Sequence, residues 1–169
     1  MTELSSIDFA EYRSAVENLA EHDAKNAILC TRPRNGSTLY EILFDRARES
    51  IRIFDPSFSP DLFNNGEVLS SLERAAARHV GIHIIAGGRN KVNETDEYLR
   101  RFSYSTPFVT YTQIPRMSKA ASQKERFVVI DSKALRFVNS DGKGIAYMNN
   151  PEIAKRLVET FNLIRESFK

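Results

Sequence analysis

Apolar and polar positions divide the chain into elements before any single residue stands out. Phe9, Tyr12, Val16 and Leu19 recur at the spacing of one helical face, which predicts a helix from about Ser6 to Glu21. The apolar "NAILCTRP" reads as a short strand ended by Pro33, and "RPRNGS" as a turn able to cap the next helix through Ser37 or Thr38. That helix, about Thr38 to Glu49, turns Leu39, Ile42, Leu43 and Ala47 to a core, and the alternating "SIRIFD" follows as a strand. "PSFSPDLFNNG" reads as a loop. A helix from roughly Glu67 to Arg78 then carries Leu69, Leu72, Ala75 and Ala76 inward, and Gly81 leads into the strand "IHIIAGG".

Beyond this point the rhythm changes. "NETDEYLRRFS" predicts a short helix, and "FVTYTQI", "RFVVID", "ALRFVN" and "GIAYMN" are four strands, several with only short joins between them. The closing segment has Asn150 as a cap, Pro151 in the first turn, and one stripe of Ile153, Leu157, Phe161, Ile164 and Phe168. Two helix-to-strand units followed by a group of strands predict an α/β fold, a mixed β-sheet flanked by helices. Residues 1–30 form an N-terminal helical extension with an extra helix, and residues 31–169 the domain proper.

Composition narrows the functional classes. The 169 residues, 41% of them hydrophobic, suffice for one core, and a net charge of +2 marks neither a strongly basic nucleic-acid binder nor an acidic tail. Any anion site must therefore be local. The single cysteine, Cys30, cannot form an internal disulfide and sits in the apolar "AILC", as a buried thiol would. The acidic "MTELSSIDFAEYR" has no continuous apolar core, and no stretch reaches the roughly 18–20 apolar residues that span a bilayer. A cytoplasmic setting without a transmembrane segment is the expectation.

"KERFVVID", Lys124 to Asp131, is the segment that raises a question of chemistry, because two bases and a carboxylate bracket an apolar run. Together with "LYEILFDRARESIRIFDPSFSPDLF", "VLSSLERAAARHVGIHIIAG" and "NNPEIAKRLVETFNLIRESF", it resembles the phospholipase D-like superfamily over most of Leu39 to Phe168. The signature of that family is His-x-Lys-x-x-x-x-Asp, usually followed by a Gly-Ser and an Asn. Counting back from Asp131, Lys124 stands at the histidine position and Arg126 at the lysine position. Downstream, "RFVNSDGKG" offers Asn139 and Ser140 without the Gly-Ser pair.

The family's chemistry runs through a phosphohistidine and a second, protonating histidine, roles that need imidazole's near-neutral pKa and nucleophilic nitrogen. A protonated lysine has no free lone pair to attack with, whereas an arginine still grips phosphate in bidentate fashion. The resemblance thus implies a catalytically inactive domain, a binding or assembly module for a phosphate-containing ligand such as nucleic acid, a nucleotide or a lipid headgroup. The candidate ligand-binding residues are Lys124, Arg126 and Asp131, joined by Arg116 and Lys119 from the basic stretch "QIPRMSKAASQKER". The alternative for these residues is a strand with charged ends and a solvated loop. Members with one motif per chain pair two chains, so the resemblance also implies a homodimer with the "KERFVVID" segments near its axis. No cofactor and no metal are assigned. Two further readings stand beside this one: an active phosphodiesterase or nuclease recruiting His83 or His79, and a regulatory domain that binds a protein partner without an anion site.

Overall fold

The computed structural model describes residues 2–3, 9–30, 32–88 and 94–168, the first pair by backbone alone. In chain order the elements are β1 (Thr2–Glu3), α1 (Phe9–Glu21), β2 (Ala27–Cys30), α2 (Pro33–Arg46), β3 (Ser50–Asp55), α3 (Pro60–Phe63), α4 (Gly66–Ala77), β4 (Gly81–Ala86), α5 (Glu94–Ser105), β5 (Val109–Gln113), a 3-10 turn (Lys119–Ser122), β6 (Arg126–Ile130), β7 (Ala134–Val138), β8 (Gly144–Tyr147) and α6 (Pro151–Glu166). The start of the first predicted helix and Asn93, the first residue of "NETDEYLRRFS", lie outside the described residues.

The strands form one eight-stranded mixed sheet in the order β1-β2-β8-β7-β6-β3-β4-β5. β8 and β6 run opposite to all the others. One end of the sheet therefore collects the carboxyl ends of β2, β7, β3, β4 and β5 together with the first residues of β6 and β8. In open α/β sheets, ligands bind outside the carboxyl ends of the strands.

Strand alternation sends the two sets of side chains into two cores. Ile51, Ile53, Ile82, Ile84, Val128 and Ile130 pack against α1, α2, α4 and α5, whereas Phe54, Ile85, Phe127, Val129 and Leu135 pack against Ala154 and Phe161 of α6. Residues 9–30 join this arrangement directly. β2 pairs with β8, and Tyr12, Val16 and Ala20 of α1 are fully buried in the first core. α6 starts as its sequence predicts, with Asn150 Oδ1 accepting the Ile153 N–H at 3.1 Å and Pro151 in the first turn.

The stretch "RPRNGS" is not a turn. α2 begins at Pro33, and Ser37 and Thr38 lie inside it, their hydroxyls donating back to the carbonyls of Pro33 and Arg34. Proline at the first helical position has no donor to waste and a preset φ. The predicted loop after β3 likewise contains the short helix α3. No helix among the described residues is long and apolar enough to cross a membrane.

At the far end of the sheet, Asp131 and Ser132 both take φ of +53° in the tight β6–β7 turn, closed by Lys133 N–H donating to Ile130 O at 3.1 Å. Asp131 is held there by its own side chain. Oδ1 accepts the N–H groups of Glu49 at 2.7 Å and Ser50 at 3.0 Å, and Oδ2 accepts that of Arg48 at 3.0 Å. One carboxylate thus joins the hairpin to the entry of β3. Asp131→Ala should lower the unfolding free energy in urea by about 1–3 kcal/mol, the range for losing hydrogen bonds to a charged group. Asp131→Gly, which accepts positive φ without strain, should cost less than the alanine.

Candidate anion site at the carboxyl end of the sheet

Arg136, in the middle of β7, is the residue around which this end of the molecule is built. Its neighbours Ala134 and Val138 share its face of the strand, so alternation points its side chain under α2, where it is only 3% exposed. Nη1 donates to Asp61 Oδ2 at 2.9 Å, and the guanidinium lies 4.5 Å from the ring centroid of Tyr40. Cys30 Sγ is 3.9 Å from Nη2. Burial opposes the charge, but Tyr40, Asp61 and Cys30 outweigh it, so the pKa of Arg136 is raised. Burial pushes the Tyr40 hydroxyl up to about 12 and raises the Cys30 thiol as well.

Two glycines make room for this cation. A Cβ on Gly36, inside α2, would lie 2.7 Å from both Arg136 Nη2 and Asp61 Oδ2. A Cβ on Gly144 of β8 would lie 3.2 Å from Arg136 Nη2 and 3.0 Å from Cys30 O. Helix α2 can therefore pass directly over the ion pair only because Gly36 has no side chain.

Arg126, the first residue of β6, reaches the same place from the next strand. Its Nη2 lies 3.8 Å from Asp61 Oδ1, beyond hydrogen-bond reach. Arg126 Nε, Arg136 Nε, Asn35 Nδ2 and Asp61 Oδ1 are all buried without a hydrogen-bond partner. Such groups are rare in native interiors and call for an explanation. Arg126, Arg136 and Asp61 line a cavity of about 160 Å³ together with Cys30, Arg32, Pro33, Pro60 and Gly142. Nearby, Asp55 is 1% exposed; burial raises its pKa, against hydrogen bonds from Ser57 and Ser59.

Of the five candidate ligand-binding residues, only Arg126 lines this cavity. Lys124 is exposed just before β6, and Asp131 sits at the opposite end of the sheet with backbone N–H groups as its partners. Arg116 is exposed in the loop after β5. Lys119 lines a separate apolar groove of about 500 Å³ on the α6 face, together with Phe127, Phe137, Leu157 and Leu163. No described histidine lines the cavity. His22 donates to Asn18 O at the end of α1, His79 stacks on Phe108 at 5.0 Å, and His83 pairs with Thr110 on β5. Burial, then Arg52 and Arg165, lower the pKa of His83. Among the described residues, no three His, Cys, Asp or Glu side chains converge to hold a metal ion.

No protein-family model matches the sequence, and no curated protein matches it either. The backbone, however, is similar to solved structures. Nuc, a phospholipase D family member from Salmonella typhimurium, superposes with a TM-score of 0.65 at 14% identity, over 83% of this chain and 94% of that one. The fold is phospholipase D-like. TrmBL2, an archaeal chromatin protein whose structure shows a novel mode of DNA binding, gives a TM-score of 0.63 at 11% identity over 90% of this chain and 56% of its own. Phosphatidylserine synthase from Haemophilus influenzae Rd KW20 gives 0.51 at 10% identity over 82% of this chain and 38% of its own.

Sequence reasoning missed Arg136, Asp61, Asn35 and Gly36. A signal for the first was present. In "ALRFV" the alternation puts an arginine on the same face as Ala134 and Val138, and a charge on an inward position needs a buried partner. Gly36→Ala should destabilise the phospholipase D-like domain by about 1–3 kcal/mol, as overpacking does, although alanine is the better helix former. Thermal or urea unfolding of that variant measures it, and an unchanged or raised stability would mean that α2 does not close on the ion pair.

Proposed function

We propose that this phospholipase D-like domain is a binding or assembly module that holds a phosphate-bearing ligand without cleaving it. The observation that carries the reading is the unpartnered Arg126 Nε and Arg136 Nε beside a cavity at the carboxyl end of the sheet, with no described histidine lining it. A guanidinium is cationic at any working pH and fits a phosphate by its fork of donors, so it supplies recognition but no nucleophile. Lys124 and Arg126, where the family motif has His and Lys, fit loss of the phosphohistidine step with retention of the grip. Nucleic acid and nucleotides are the leading ligands, a choice that the likeness to a chromatin protein favours.

Pairing of two copies is the second half of the proposal. The apolar groove beside Phe127 belongs in part to the "KERFVVID" segment, and Leu163 at its rim is 73% exposed. Apolar surface of this kind is covered when chains associate in a closed two-fold dimer.

Two outcomes are expected. A generic diester such as bis-p-nitrophenyl phosphate should not turn over above background; turnover that Arg126→Ala abolishes would establish an active phosphodiesterase instead. Light scattering at micromolar concentration should report twice the 19.3 kDa chain mass, and a monomer would remove the dimer from the account.

A further inference from the structure

The anion cavity contains its own carboxylate, and that is unusual for a site meant to attract negative charge. Asp61 is held from both sides: Oδ2 accepts from Arg136 at 2.9 Å, and its backbone carbonyl accepts the Ser37 hydroxyl at 2.8 Å. Its other oxygen, Oδ1, is buried, accepts no hydrogen bond and stands 3.8 Å from Arg126. Unpartnered donors and one unpartnered acceptor therefore belong to residues that line the same cavity. A ligand that complements this set must accept hydrogen bonds with some oxygens and donate one with another.

We propose that Asp61 makes the site selective for an oxyanion that still carries a proton. A phosphomonoester monoanion fits, with two oxygens toward Arg126 and Arg136 and its P–OH donating to Asp61 Oδ1. A phosphodiester has the same single negative charge but no proton to donate, and its oxygens would face the carboxylate lone pairs unbridged. Sulfate is excluded for the same reason. A site with a fixed polar requirement rejects the analogue lacking that group far more strongly than an apolar pocket does, because its own buried group is left unpaired. This inference rests on the anion-pocket reading above and narrows its ligand from nucleic-acid backbone to a terminal phosphate, as on a nucleotide.

Calorimetry with methyl phosphate and dimethyl phosphate tests it, since the two differ in the donor hydrogen while sharing a charge of −1 at about pH 5.5. Methyl phosphate should bind the wild type about ten- to a hundredfold more tightly, the value of one hydrogen bond to a charged acceptor. Its advantage should fall as pH rises through the second phosphate pKa of about 6 and the P–OH is lost. Asp55 on β3, Cys30 on β2, Tyr40 on α2 and Tyr12 on α1 are the other titratable groups around the arginines, and Arg32 adds a fixed cation to the cavity wall; dimethyl phosphate feels any change in them equally, so the ratio of the two affinities isolates the ligand's proton. Asp61→Asn should collapse the ratio toward one. Equal binding of the two ligands, both abolished by Arg126→Ala, overturns the selectivity and leaves the anion pocket standing. A ratio that survives Asp61→Asn overturns it too. Binding of neither ligand overturns the anion pocket with it. Should Asp61→Asn not fold, the wild-type pH profile decides alone: a ratio that stays constant to about pH 7.5 rejects the proposal.

Discussion

A guanidinium buried under a helix is the constraint that the rest of this end of the molecule answers to. Taking a charge out of water costs several kcal/mol even after relaxation, and the cost is met only by a partner of opposite charge with good geometry. Arg136 has Asp61 at 2.9 Å, the face of Tyr40 and the sulfur of Cys30. Fitting these around a planar cation dictates glycine at 36 and 144, and it sets where α2 and α3 lie. Such a pair contributes little net stability compared with an apolar replacement of the same shape, but it fixes one arrangement of charges. The domain keeps a polar centre where a packed core would be simpler.

The two ends of the sheet differ in how fully their polar side chains are matched. At the Asp131 end, both carboxylate oxygens are engaged with backbone donors, and the result is a hairpin tied to the entry of β3. At the other end, donors and an acceptor remain unmatched on residues that line a cavity of about 160 Å³. Arg126 and Asp131 therefore stand at opposite ends of one strand, joined by four apolar residues that alternate between two cores. The bonds of Asp131 serve the fold.

What could be read from sequence follows the same division. β3, β4 and α6 were legible because their alternation or stripe is continuous and their caps are conventional. Pro33, Asn35 and Gly36 misled because each is a turn former in isolation, while here Pro33 starts a helix and Gly36 accommodates a side chain 100 positions away. The cavity beside Arg126 and Arg136 depends on contacts between β7, α3 and α2 that no local pattern encodes. Spacing placed Lys124 and Lys119 near Arg126 along the chain, yet Lys119 falls on the α6 side of the sheet and Arg126 on the α2 side.

The central claim is that Arg126 and Arg136 present unpartnered Nε–H groups to an anion. Side-chain ¹H–¹⁵N spectra of the arginines, followed while inorganic phosphate is added, read those protons directly. The account predicts saturable shifts at the Nε–H of Arg126 and Arg136 with Arg116 unmoved. Shifts at Arg116 while Arg126 and Arg136 stay fixed would contradict it.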